Sequence, residues 1–132
     1  MRTRQAGILV VLVAVALVFL SGCGKSSEPQ AEAAPIKVGA IFAVTGGASF
    51  LGAPEAKTAE MFVEKLNEAG GIDGHKIELL VRDSAGSPEK AISLAKQLID
   101  EDKVLAIIGP STSGETMAIK DICQEGQTIL LS

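Results

Sequence analysis

Between residues 36 and 132 the chain alternates two hydrophobic rhythms, one of strands and one of helices, joined by short connections. Residues 36–43 are apolar on both faces, as in a strand buried within a parallel sheet. Pro54 is read as opening a helix whose Ala59, Phe62, Val63 and Leu66 share one face, ended by Gly70-Gly71. Ile77, Leu79 and Val81 then alternate with Lys76, Glu78 and Arg82, which suits a strand at a sheet edge. Ser87-Pro88 supplies an N-cap and a first helical residue for a helix carrying Ala91, Leu94, Ala95 and Leu98 inward. Residues 104–108 form a short strand. A helix with Ile119, Ile122 and Cys123 on one face follows, and residues 128–131 form a fourth strand. Strand–helix alternation with short links builds right-handed βαβ units and therefore a parallel sheet. The fold class is α/β: an open parallel sheet of order 2-1-3-4 with flanking helices, in a domain of about 97 residues.

In that order the chain reverses direction between strands 1 and 3. Open α/β sheets bind ligands at such a switch point, beyond the carboxyl ends of the strands. Two loops meet there, residues 44–52 (Val-Thr-Gly-Gly-Ala-Ser-Phe-Leu-Gly) and residues 109–114 (Gly-Pro-Ser-Thr-Ser-Gly). They offer hydroxyls, backbone amides and the apolar Phe50 and Leu51, with no acid or histidine. Each precedes a helix, whose unpaired N–H groups suit a carboxylate or phosphate.

The motifs of phosphate chemistry are absent. Gly47 and Gly52 have P-loop spacing, but Ala53 stands in place of the lysine. No G-x-G-x-x-G follows the first strand, and residues 109–113 lack the final glycine of a nucleophile elbow. His75, the single histidine, falls in the turn before strand 2, at the opposite end of the sheet, and is read as a solvated turn residue. No catalytic set emerges, and an enzyme is not expected. Thr112-x-x-Glu115 fits a capping box. Ser113 is open to two roles, as a second cap or as a ligand contact.

The front of the chain has a different character. Arg2 and Arg4 precede residues 8–20, a run of 13 apolar residues, and then Leu20-Ser21-Gly22-Cys23. A membrane span needs about 20 apolar residues, so residues 1–22 are read as a secretory signal. Its end resembles the lipobox of bacterial lipoproteins, which implies lipidation of Cys23 and anchoring to a membrane. Residues 23–35 are read as the lipidated cysteine and a flexible tether. Without residues 1–22, ten basic residues face sixteen acidic ones, a net charge of −6. With no Lys/Arg cluster, a nucleic-acid partner is excluded. Cys123 is then the one mature cysteine beyond Cys23, a core residue with no disulfide partner or metal site around it.

Asn67-Glu68-Ala69-Gly70-Gly71-Ile72-Asp73-Gly74, Asp83, and Ile108-Gly109-Pro110-Ser111-Thr112-Ser113-Gly114 resemble the type I periplasmic binding proteins. The nearest group is the leucine/isoleucine/valine-binding family of ABC transporters. The resemblance implies two α/β lobes joined by a hinge, closure on a ligand, and docking on a permease driven by ATPase subunits, without a cofactor. It implies that Ser113 donates its hydroxyl to a ligand α-carboxylate, with backbone groups of Ser111 and Thr112 lining the same pocket. Leu51 falls where some relatives carry an aromatic over the ligand side chain, with Phe50 beside it. A disulfide of some relatives would join positions near Gly86 and Thr112, and it is absent here. The family continues beyond the position of Ser132, so residues 36–132 are expected to form part of lobe one. The expected function is a solute-binding lipoprotein for a branched-chain amino acid or related amide. The alternative is a sensing domain of the same fold.

Overall fold

The computed structural model describes residues 33–132. The signal segment, Cys23 and most of the tether lie outside the described residues. Seven elements alternate along the chain: β1 (Ala33–Phe42), α1 (Ser49–Glu68), β2 (His75–Asp83), α2 (Pro88–Asp100), β3 (Ala106–Ile108), α3 (Ser113–Glu125) and β4 (Ile129–Leu131). The strands form one sheet of order β2-β1-β3-β4. Every pairing is parallel, with Val38 opposite both Leu79 and Ala106. The expected architecture is present, with β2 at one edge.

Alternate residues of β1 serve opposite layers. Ile41 joins Ile107, Ala91, Ala95, Leu98, Ile119 and Cys123 in a core beneath α2 and α3. Ala40 and Phe42 point the other way, packing with Ala56 and Ala59 of α1 and with Leu79, Val81 and Ile108. Each fully buried Leu, Ile or Phe contributes about 1.5–3 kcal/mol to such a core. Burial pushes the Cys123 thiol pKa up, as expected of a core cysteine.

Several boundaries differ from the sequence reading, and β3 and β4 begin later than expected, at Ala106 and Ile129. β1 starts at Ala33, because Ala33 pairs with His75 across a local register shift. Ala33 to Pro35 are therefore strand, not tether. His75 opens β2, and its Nδ1 lies 2.8 Å from the Ala34 carbonyl, so it is tied to β1 and not a free turn residue. α1 begins at Ser49, and Pro54 lies inside it. The first turn takes its bonds from loop carbonyls, Ser49 N to Gly46 O and Gly52 N to Ala48 O. The inward stripe of α1 is also displaced. It runs through the buried Gly52 and Ala56 to Ala59, Val63 and Leu66, while Phe62 is 68% exposed.

The Asn-…-Gly-Gly segment has a clear physical task. Asn67 Nδ2 donates to Ile77 O at 2.8 Å, and Ile77 N donates to Asn67 Oδ1 at 2.7 Å. This two-point clasp sets the end of α1 against β2. Gly71, with φ +77, donates to the Leu66 carbonyl and turns the chain out of the helix.

Candidate functional site at the carboxyl ends of the strands

The turns after β1, β2 and β3 are bound to one another. Ser84 N donates to Phe42 O at 2.9 Å, carrying the β1–β2 ladder past its end. Asp83, the last residue of β2, reaches across to the first loop. Its Oδ1 accepts from Thr45 N at 3.1 Å and Ala85 N at 2.9 Å, and its Oδ2 accepts from Thr45 Oγ1 at 2.6 Å. The Thr45 hydroxyl above all, with the two amides and the charge of Lys90, lowers the Asp83 pKa to about 2, outweighing desolvation, which is the second-largest influence and opposes them. An acidic residue outside both candidate loops therefore holds one of them in shape. Sequence reasoning marked Asp83 only by resemblance, and its three-bond role was missed.

The sign of the linkage gives a testable pH dependence. Folding lowers the Asp83 pKa from 3.8 to about 2. The stabilisation is thus complete above pH about 4 and is lost as pH falls towards 2. Asp83→Asn lacks this dependence. Urea unfolding of parent and variant should show a stability gap that closes by about 1 kcal/mol or less between pH 5 and 2, the carboxylate being partly solvated. A gap that stays constant across that range would remove the proposed role of the Asp83 charge.

Ser111 joins the third loop to both β1 and α1. Its Oγ accepts from the amide of Ala43 at 3.0 Å and donates to Glu55 Oε2 at 2.5 Å. Ala43 is fully buried, so its amide, which lies just past the end of β1, has the Ser111 hydroxyl as its partner. Two glycines permit this closeness. A Cβ on Gly52 would strike the Ala43 backbone, and one on Gly109, which has φ +88, would strike the carbonyl of Ile41.

Thr112 takes the capping role at α3. Its Oγ1 accepts from Glu115 N at 3.4 Å and donates to Glu115 Oε2 at 2.7 Å. Glu115 is fully buried, and its Oε1 has no hydrogen-bond partner among the described residues. Sequence reasoning foresaw the capping pair but not the burial of its acid. Ser113 is the first residue of α3, exposed, and free of side-chain hydrogen bonds among the described residues. The choice left open for Ser113 thus resolves in one respect: Thr112 caps the helix and Ser113 does not. Phe50 and Leu51 lie in the first turn of α1, 74% and 40% exposed. Residues 109–114 are thus tied to Ala43 and Glu55, which flank residues 44–52, with Ser113, Phe50 and Leu51 all open to solvent.

An open cleft of about 660 Å³ adjoins these loops between α1 and the β3–β4 side of the sheet, lined by residues including Phe42, Glu55, Phe62, Gly109, Pro110 and Leu131. Ser111, Thr112, Ser113, Phe50 and Leu51 are not among its walls. The candidate contacts cluster at the loop ends, beside that apolar cleft. Among the described residues, no three His, Cys, Asp or Glu side chains group as metal ligands.

A family model described as periplasmic binding protein matches residues 35–132. The chain belongs to the periplasmic binding protein family. Membership in this solute-binding fold implies an extracytoplasmic location. Among relatives of this periplasmic binding protein is the Leu/Ile/Val-binding protein homolog 3 of Brucella melitensis, 33% identical over 86% of this chain and 30% of the relative. An amino acid binding protein of Pseudomonas aeruginosa is 30% identical over 89% of this chain and 31% of its own length. A solved structure of similar fold is the branched-chain amino acid transporter substrate binding protein LivJ from Streptococcus pneumoniae, in complex with isoleucine. It superposes with a TM-score of 0.71 at 35% identity, covering 73% of this chain and 28% of LivJ. The chain spans 28–31% of the length of these three relatives.

Proposed function

We propose that residues 36–132 are part of the first lobe of a solute-binding lipoprotein that delivers a branched-chain amino acid, or a related amino acid or amide, to an ABC transporter. One observation carries the reading: Ser113 presents an exposed hydroxyl on the first turn of α3, without a side-chain hydrogen bond among the described residues, with Thr112 already serving as the cap. A hydroxyl there sits beside unpaired helix amides and partial positive charge, a setting that suits a carboxylate. Backbone groups of Ser111 and Thr112 complete the anion side, and Leu51 with Phe50 meets the apolar side chain. The names of the relatives favour amino acids as the cargo class. In this proposal Cys23 carries the lipid, residues 1–22 direct export, and a permease with its ATPase subunits receives the ligand.

Calorimetric titration of the full-length protein with leucine, isoleucine and valine tests the reading. Ser113→Ala should weaken binding by about tenfold to a hundredfold, the cost of one hydrogen bond to a charged group. Equal affinity in parent and variant would exclude Ser113 from the ligand contacts.

A further inference from the structure

We propose that Glu55 is a positioning residue for the Ser113 ligand contact, acting through Ser111; the proposal rests on the ligand-binding reading above. Glu55 belongs to α1 and is exposed, where a solvated acid would be unremarkable. Its geometry is not that of a free surface acid. Glu55 Oε2 accepts a hydrogen bond from Ser111 Oγ at 2.5 Å across 56 residues of sequence. With the hydroxyl proton committed, the lone pairs of Ser111 Oγ face the Ala43 amide, which donates to them at 3.0 Å across 68 residues. Carboxylate, hydroxyl and buried amide form a three-part brace linking α1, the third loop and the end of β1.

The brace ends two residues before Ser113. Ser111 is the only point in this turn with side-chain bonds to both α1 and the residue that follows β1 among the described residues. Its placement sets where Thr112 caps α3 and hence where Ser113 stands. Glu55 also stands on the helix that carries Phe50 and Leu51, so one bond fixes the anion side of the proposed site relative to its apolar side. The charge of Glu55 repels a carboxylate ligand, so its contribution is the acceptor oxygen. An amide oxygen at the same place still accepts from Ser111.

Glu55→Ala and Glu55→Gln in the full-length protein separate these roles. Two readouts are compared: affinity for leucine, isoleucine and valine, and hydrogen exchange at the Ala43 amide without ligand. Glu55→Ala should weaken binding by about tenfold and speed exchange at Ala43. Glu55→Gln should keep both within about twofold of the parent. Parental exchange and affinity in Glu55→Ala, or equal impairment in Glu55→Gln, would overturn the brace. If the parent binds none of the three amino acids, the ligand reading falls, and exchange at Ala43 still decides whether Glu55 orders the turn.

Discussion

Replacing Gly52 with alanine is expected to destabilise the domain by about 3 kcal/mol, although alanine is the better helix former by about 1 kcal/mol. Gly52 lies in the first turn of α1 and is buried, so backbone conformation is not what demands glycine. Space is. A Cβ there meets N, C and O of Ala43, all backbone atoms. No rotamer change relieves a backbone collision, so α1 must withdraw from β1. Withdrawal pulls Glu55 from Ser111, and Ser111 from a fully buried amide. A buried donor left without its partner costs about 1–3 kcal/mol by itself. Gly114→Ala is the matched control, because it lies in α3 with nothing within 4 Å of an added Cβ. Thermal denaturation should lower Tm by about 15 °C for Gly52→Ala and leave Gly114→Ala at or above the parent. A Gly52→Ala domain as stable as the parent would mean that α1 does not approach β1 as closely as described.

The same close approach explains which parts of the fold were legible from sequence. The strand order was readable because Ile77, Leu79 and Val81 mark a one-sided edge strand, whereas residues 38–43 are apolar on both faces. The start of α1 was not, because its first turn lacks a side-chain cap at Ala48. Pro54 gave the only conventional signal of a helix start, five residues too late. Phe62 looked like a core residue by spacing. Contact at Gly52 and Ala56 rotates the helix so that Phe62 faces outward.

The candidate site divides in the same way. Ser111, Thr112 and Ser113 stand out locally as hydroxyls between glycines, and Thr112 announces its cap three residues ahead of Glu115. Their division of labour is tertiary: one braces, one caps and one remains exposed. Glu55 and Asp83 carried no local sign of their roles, because each acts on a residue at least 38 positions away. An isolated acid on a helix face and an acid ending a strand both look like solvated surface. Only the parallel register, which brings three strand ends level, gives them partners.

Residues 24–132 purified alone are expected to show no micromolar binding of leucine, isoleucine or valine. The groups proposed to meet the ligand form one wall: Ser113, the neighbouring backbone, and the exposed Phe50 and Leu51. The match covers 28–31% of these relatives, whose remaining fold comes from sequence outside the matched part. On a single wall the ligand keeps much of its hydration, and its ammonium gains no charged partner from the two loops, which contain no acid. A complete site of micromolar affinity corresponds to about −8 kcal/mol, and half of that free energy leaves a Kd of about 1 mM. Exposed hydrogen bonds in a wet, one-sided site are weaker still, because water competes for every donor. Calorimetry at protein concentrations near 100 µM should therefore register no saturable heat, whereas the full-length protein should saturate. Micromolar affinity in residues 24–132 would show that these two loops alone enclose the ligand, and the two-lobe account of binding would have to be abandoned.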